Sequence, residues 1–235
     1  MRHLSASEWI AVWERGAGQH PVDRALTLLA ACHDQPRQEL ALFSLGQRDR
    51  LLLEIYANLF GDALPAYAEC PRCEERLEYT LLVRELLLPD ASPRELSVEL
   101  EEIPLRLRPP NSFDLGEAAA CADIASARRL MAEQCVVDSP LPLDQLPQTA
   151  IDRISERLIE ADPQAEVLID LDCARCHHSW QVVFEIERFL WIRVGALARR
   201  LLREVHTLAR AYGWSEGDIL GLSPLRRQFY LEAVG

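Results

Sequence analysis

The chain has 235 residues, about half of them apolar, and a formal net charge of −12 from 37 acidic and 25 basic side chains. That length allows one large domain or two small ones, and the acidic balance argues against a general nucleic-acid binder, whose phosphate contacts need a basic surface. No uncharged apolar run reaches the length of a membrane span. The N-terminal MRHLSASEWIAVWERG, broken by Glu8 and Glu14, lacks the apolar centre of a secretory signal, so the expected location is cytoplasmic.

Ser5-Ala-Ser-Glu8 has the spacing of a capping box and predicts a helix from Ser5 that ends at Gly16 and Gly18. Pro21 suits the first position of a second helix, VDRALTLLAACH. DQPRQ reads as a turn. Leu51, Leu52, Ile55, Leu59 and Phe60 recur at helical spacing over 47–60, with Gly61 as a stop. The first 62 residues thus read as three short helices.

Cys70-Pro-Arg-Cys73 follows, and then Leu77, Tyr79, Leu81 and Val83 alternate as in a strand. ELSVELEEIPLRLRPP predicts a further strand or hairpin. Asn111 or Ser112 caps an expected long helix over about 113–135. DSPLPLDQLP is a linker, and TAIDRISERLIEAD a helix stopped before Pro163. AEVLIDLD then leads into Cys173-Ala-Arg-Cys176 as a strand, and SWQVVFEIE leaves it as another. From Phe189 to Tyr212 apolar residues recur every three or four positions, with arginines opposite: a strongly amphipathic helix. Gly213 sits where a left-handed cap belongs. Ser215 and Ser223-Pro224 cap two final short helices.

A two-residue spacer lets both sulfurs of a CxxC face one ion, and structural zinc takes four such ligands in a tetrahedron. Two knuckles, each at the tip of a strand–turn–strand unit, predict one zinc held by Cys70, Cys73, Cys173 and Cys176. The 99 residues between them are no obstacle, because loop-closure cost grows only logarithmically with length. His177 and His178 are either substitute ligands or, as the blander alternative, polar residues beyond the knuckle. A redox CxxC would sit between a strand and a helix, and a catalytic zinc needs an open position; neither fits. Glu69, Glu74 and Glu75 around the first knuckle would repel phosphate. Cys32, Cys121 and Cys135 read as small core residues. Glu74-Glu75 and Glu101-Glu102 read as solvated charges, and no phosphate-binding glycine loop or GxSxG motif is present. No catalytic residue and no enzyme activity is expected.

The expected fold is α+β and mostly helical, with helical N- and C-terminal segments around a small zinc-ribbon-like antiparallel β module. Its parts are a helical segment at 1–62, the first knuckle and strands at 63–110, a helical insertion at 111–162, the second knuckle hairpin at 163–187 and an amphipathic helical segment at 188–235, together one compact unit. The last segment holds eight arginines against four acids, the reverse of the rest of the chain. It offers a partner-binding surface of Arg193, Arg200, Arg203, Arg210, Trp214, Tyr230 and exposed Arg226 and Arg227; the plainer reading packs Trp214, Ile219, Leu222, Phe229 and Tyr230 on the long helix.

SASEWIAVWERG, HPVDRAL, LGQRDRLLLEIYANLFG, both CxxC units and REVHTLARAYGWSEGDILGLSPLRRQFYLEAVG together resemble proteins of phage-like contractile-tail gene clusters and, more distantly, the baseplate hub assembly chaperone family of T-even phages. The resemblance is sharpest over the last 35 residues and weakest over 85–165. It implies a non-enzymatic factor in baseplate or central-spike assembly of a phage tail or contractile injection system, with hub or spike proteins as partners and no nucleic acid or membrane. A structural baseplate component and a zinc-ribbon regulator of transcription or translation are the alternatives. The CxxC pairs are not a general feature of the T-even members, so the resemblance does not itself imply zinc.

Overall fold

Side-chain caps set most of the helix starts. The computed structural model describes residues 2–89, 95–100, 103–139, 142–143 and 146–234. Ser5 and Glu8 close a capping box on α1 (Ala6–Gly16), and Pro21 opens α2 (Pro21–Cys32). The expected turn at 34–38 is cut short by α3 (Arg37–Ala41), so four helices, not three, precede residue 62. Leu40 and Ala41 are buried, and their packing stabilises a five-residue helix that propensity alone would not hold. α4 (Leu45–Phe60) starts two residues before the expected point because Ser44 and Gln47 form a second capping box; Gly61, at φ 85°, ends it.

The chain divides into two compact units, one of 1–37 with 187–235 and the other of 38–186. In the second, β1 (Ala63–Glu69) pairs antiparallel with β2 (Arg76–Leu82), which leads directly into α5 (Val83–Leu86). β3 (Leu96–Leu100) and β4 (Ile103–Leu107) form the expected hairpin, and β5 (Val136–Asp138) adds to β4. Glu101-Glu102 lies outside the described residues.

The single helix expected over 113–135 is two: α6 (Ser112–Ala118) and α7 (Ile124–Cys135). Asn111 caps the first with Asp114 in a box. Asp123, extended at φ −148°, caps the second by accepting from the Ser126 amide at 2.8 Å. A good N-cap at Asp123 favours a fresh start over a continuous helix. α8 (Gln148–Ala161) ends before Pro163, and a single 3-10 turn (Pro163–Ala165) leads to the hairpin of β6 (Leu168–Asp172) and β7 (Ser179–Val183). One core cluster of this unit gathers Leu105, Leu107, Cys135, Ile151 and Ile154 from β4, α7 and α8. Another contact explains a glycine: Asp162 accepts from the Gly46 amide at 2.9 Å, and a Cβ on Gly46 would lie 1.9 Å from its Oδ1.

In the first unit α9 (Ile186–Tyr212) runs 27 residues to Gly213 at φ 69°, followed by α10 (Glu216–Leu220) and α11 (Pro224–Val234). Ile10 of α1, Ala198 and Leu201 of α9 and Leu220 of α10 share a core. Trp191 fills the space beside Gly16, whose added Cβ would meet the ring at 2.3 Å, and Arg24 lies 5.1 Å from the centre of that ring. The architecture is α+β and mostly helical, with small antiparallel sheets and helical termini. Among the described residues, no helix is long and apolar enough to cross a membrane.

Candidate metal centre

The two cysteine pairs sit on hairpins with the same turn. Cys70 donates its N–H to Glu75 O and accepts from Glu74 N–H, both at 2.9 Å. Cys173 does the same with His178 O and His177 N–H, again at 2.9 Å. Glu74 and His177 occupy equivalent left-handed positions at φ 59° and 53°. That conformation disfavours L residues, so each turn holds it through the bonds just named. The incoming strand of the first hairpin is the seven-residue β1. Pro65 interrupts its pattern but does no harm. Bonded pairs alternate from Cys70–Glu75 to Asp62–Val83, and Pro65 opposite Thr80 falls on a position that needs no ladder N–H.

The knuckles meet at their tips. Cys70 and Cys176 Sγ are 3.6 Å apart, as are Cys73 and Cys173 Sγ, and all four sulfurs lie within 4.8 Å of one another. A tetrahedral ion with metal–sulfur bonds of about 2.3 Å needs sulfur separations of about 3.8 Å. The donor set therefore fits a metal that prefers thiolates, and the sulfurs are free rather than disulfide-bonded. The hairpins belong to different sheets, and among the described residues no strand pairing joins them. The hairpins meet at the sulfur cluster, with an Arg175–Glu75 ion pair at 3.2 Å beside it.

Electrostatics agree with a site made for a cation. Backbone N–H groups of Cys176 and Arg175 point at Cys173 Sγ and pull this thiol down to about 7. The Glu75 N–H favours the Cys73 thiolate too, but loss of solvent and the thiols of Cys176, Cys173 and Cys70 outweigh it and push Cys73 up to about 12. Four neighbouring sulfurs cannot all ionise without a positive charge among them; a divalent ion would supply it. His177 serves the left-handed turn, and His178 stacks on Trp180 with ring centres 6.0 Å apart. Neither belongs to the sulfur cluster. Cys32 and Cys135 are buried, and burial raises their thiols to about 11 and 12. Cys121 is half-buried between α6 and α7 rather than in a core.

Most of the candidate partner arginines are exposed, and one is not. Arg193, Arg203, Arg210 and Arg226 are exposed, and Arg200 pairs with Glu204 at 3.3 Å. Trp214 stacks on Tyr212 at 4.6 Å and meets Tyr230 edge-on at 4.9 Å. Arg227, expected to be exposed, is buried instead. Its guanidinium donates to Glu204 at 2.9 Å and to Leu222 O at 2.8 Å, tying α11 to α9. The sequence signal for this was Glu204, an acid among the arginines of α9. Leu225 and Phe229, passed over as surface candidates, are the strongly exposed apolar residues of α11.

Residues 22–138 match the family model described as T4 bacteriophage base plate protein. Over that segment, just under half of the chain, the sequence is similar to the T4 baseplate family. The match runs from α2 to β5 and supports a T4-type phage baseplate protein. The baseplate segment contains Cys70 and Cys73 but stops before Cys173, Cys176 and the last 35 residues. No curated protein and no solved structure matches the chain.

Proposed function

We propose that this chain is a non-enzymatic assembly chaperone or adaptor for the baseplate hub or central spike of a phage tail or contractile injection system, built around a structural zinc site. The baseplate family match carries the reading. Four thiolates would fill a zinc tetrahedron and leave no position for substrate, which supports a structural metal and a non-catalytic protein. The exposed arginines and aromatic rings of α9 and α11 suit docking to another baseplate protein. On this reading the chain works in the cytoplasm on hub or spike proteins before the particle is complete.

A second reading, a permanent structural part of the baseplate, is favoured by the description of the matched family itself. Composition of the finished particle separates the two. A tagged chain that co-purifies with hub or spike proteins from assembling cells, yet is missing from mature particles, supports the chaperone. Stoichiometric presence in mature particles gives the structural role. Co-purification with RNA polymerase or ribosomes instead would sink both.

A further inference from the structure

Between the two knuckle hairpins lies a cleft of about 620 Å³. Residues 75–79 line one side and 170–172 the other, consecutive in each case. Successive strand residues point to opposite faces, so an unbroken run along a cleft means that the strand edge itself faces it. Among the described residues both edges are open: β2 pairs with β1 alone, and β6 with β7 alone. The bonded pairs fix which backbone groups are unused. On β2 the ladder to β1 includes Cys70–Glu75 and Asp62–Val83, so by alternation Arg76 and Glu78 direct N–H and C=O outward. On β6 the pairs Cys173–His178 and Val167–Phe184 leave Asp170 and Asp172 outward in the same way.

The charges say what the cleft accepts. Asp170 accepts from Gln181 Nε2 at 2.8 Å and Asp172 from Ser179 Oγ at 2.5 Å, both neutral donors, so neither carboxylate is neutralised. Arg76 already faces Glu78 at 3.4 Å and lies over the Tyr67 ring, and Arg175 faces Glu75. The unit of 38–186 is acidic throughout, with 28 acids against 13 arginines. A second copy of this edge would bring carboxylates against carboxylates.

We propose that this cleft binds an extended, basic segment of a partner protein as an added β-strand, hydrogen-bonded to the outward groups of Arg76 and Glu78, with its cations beside Asp170 and Asp172. Residues 76–79 offer about 13 Å of edge, room for about four partner residues. The site goes beyond the assembly role above and holds whichever baseplate protein supplies the strand. Because the hairpins meet at the sulfur cluster, losing a metal held there should open the cleft.

The test uses the full metal-loaded chain and a labelled octapeptide alternating arginine and valine, followed by fluorescence anisotropy. Binding is expected to weaken about tenfold or more when alternate peptide amides are N-methylated, since each lost backbone bond removes part of the affinity. Glu78→Pro removes one outward N–H while leaving the β1 ladder intact, as Pro65 does on the neighbouring strand, and should have a comparable effect; zinc content confirms that its knuckles are formed. Asp170→Asn with Asp172→Asn should weaken the basic peptide and its salt dependence, and glutamate in place of arginine in the peptide should abolish binding. The proposal is overturned if the octapeptide does not bind, if N-methylation or Glu78→Pro leaves its affinity unchanged, or if sedimentation shows that the β2 edge instead joins two copies of the chain.

Discussion

Arg226 and Arg227 are neighbours in sequence and opposites in role. Arg227 gives up solvent for Glu204 and the Leu222 carbonyl, and removing it leaves Glu204 to the exposed Arg200 alone and takes a donor from that carbonyl. Arg227→Ala is expected to cost about 3 kcal/mol in denaturant unfolding, whereas Arg226→Ala should stay within about 0.5 kcal/mol of the parent. Glu8 shows a second residue-scale effect. Backbone and side-chain donors of Ser5, with Arg2, hold its carboxyl below the ordinary value of 4.5. A lowered carboxyl contributes stability above its unfolded-state pKa and loses it as pH falls through the folded value. NMR titration should place Glu8 below the ordinary glutamate range, and Ser5→Ala should return it upward.

At the scale of elements, caps and close approaches decide where helices begin and what they touch. Ser5, Ser44, Asn111, Asp123 and Ser215 each bond an amide in the first turn of the following helix. Ser5, Ser215 and the proline at 21 were readable from local spacing. Asp123 was not: LGEAAACADIASARRL carries a continuous helical pattern, and only the geometry shows that the aspartate restarts it. Gly46 records a long-range demand, because the Asp162 carboxylate occupies the place of its Cβ. Gly46→Ala forces Asp162 away from the α4 amide, and about 2–3 kcal/mol of lost stability is expected from the denaturation midpoint. Gly18, with open space around it, is the control.

For the whole molecule the four-sulfur cluster is the decisive feature. Among the described residues the two small two-stranded sheets share no pairing, and isolated hairpins are marginal in water, so the sulfur cluster is expected to hold them together. Elemental analysis should find one zinc per chain. Chelation, or Cys173→Ser, should release it, lower the thermal midpoint and raise amide exchange across β1, β2, β6 and β7. Exchange in α1, α2 and α9 is expected to change little, because those helices belong to the other compact unit. Uniform protection after chelation would show that the sulfurs do not hold the hairpins together.

The helical periodicities, the two knuckle hairpins and the two cysteine pairs were legible because each rests on contacts within a few residues of sequence: a cap, an alternation, a two-residue spacer. The resemblance to contractile-tail baseplate proteins was legible in the same way, from short quoted stretches, although the family match falls over 22–138 rather than at the C-terminus. What sequence could not settle involves partners far along the chain. Arg227 is buried because Glu204 lies one helix away, Gly46 is required because Asp162 is 116 residues distant, and α3 forms because its two apolar residues find a core. The separation of the β module into three sheets is likewise a tertiary outcome, since strand patterns specify faces but not neighbours. Local chemistry set the parts; burial and long-range pairing, whose energies exist only once the chain is folded, chose their arrangement and opened the cleft between β2 and β6.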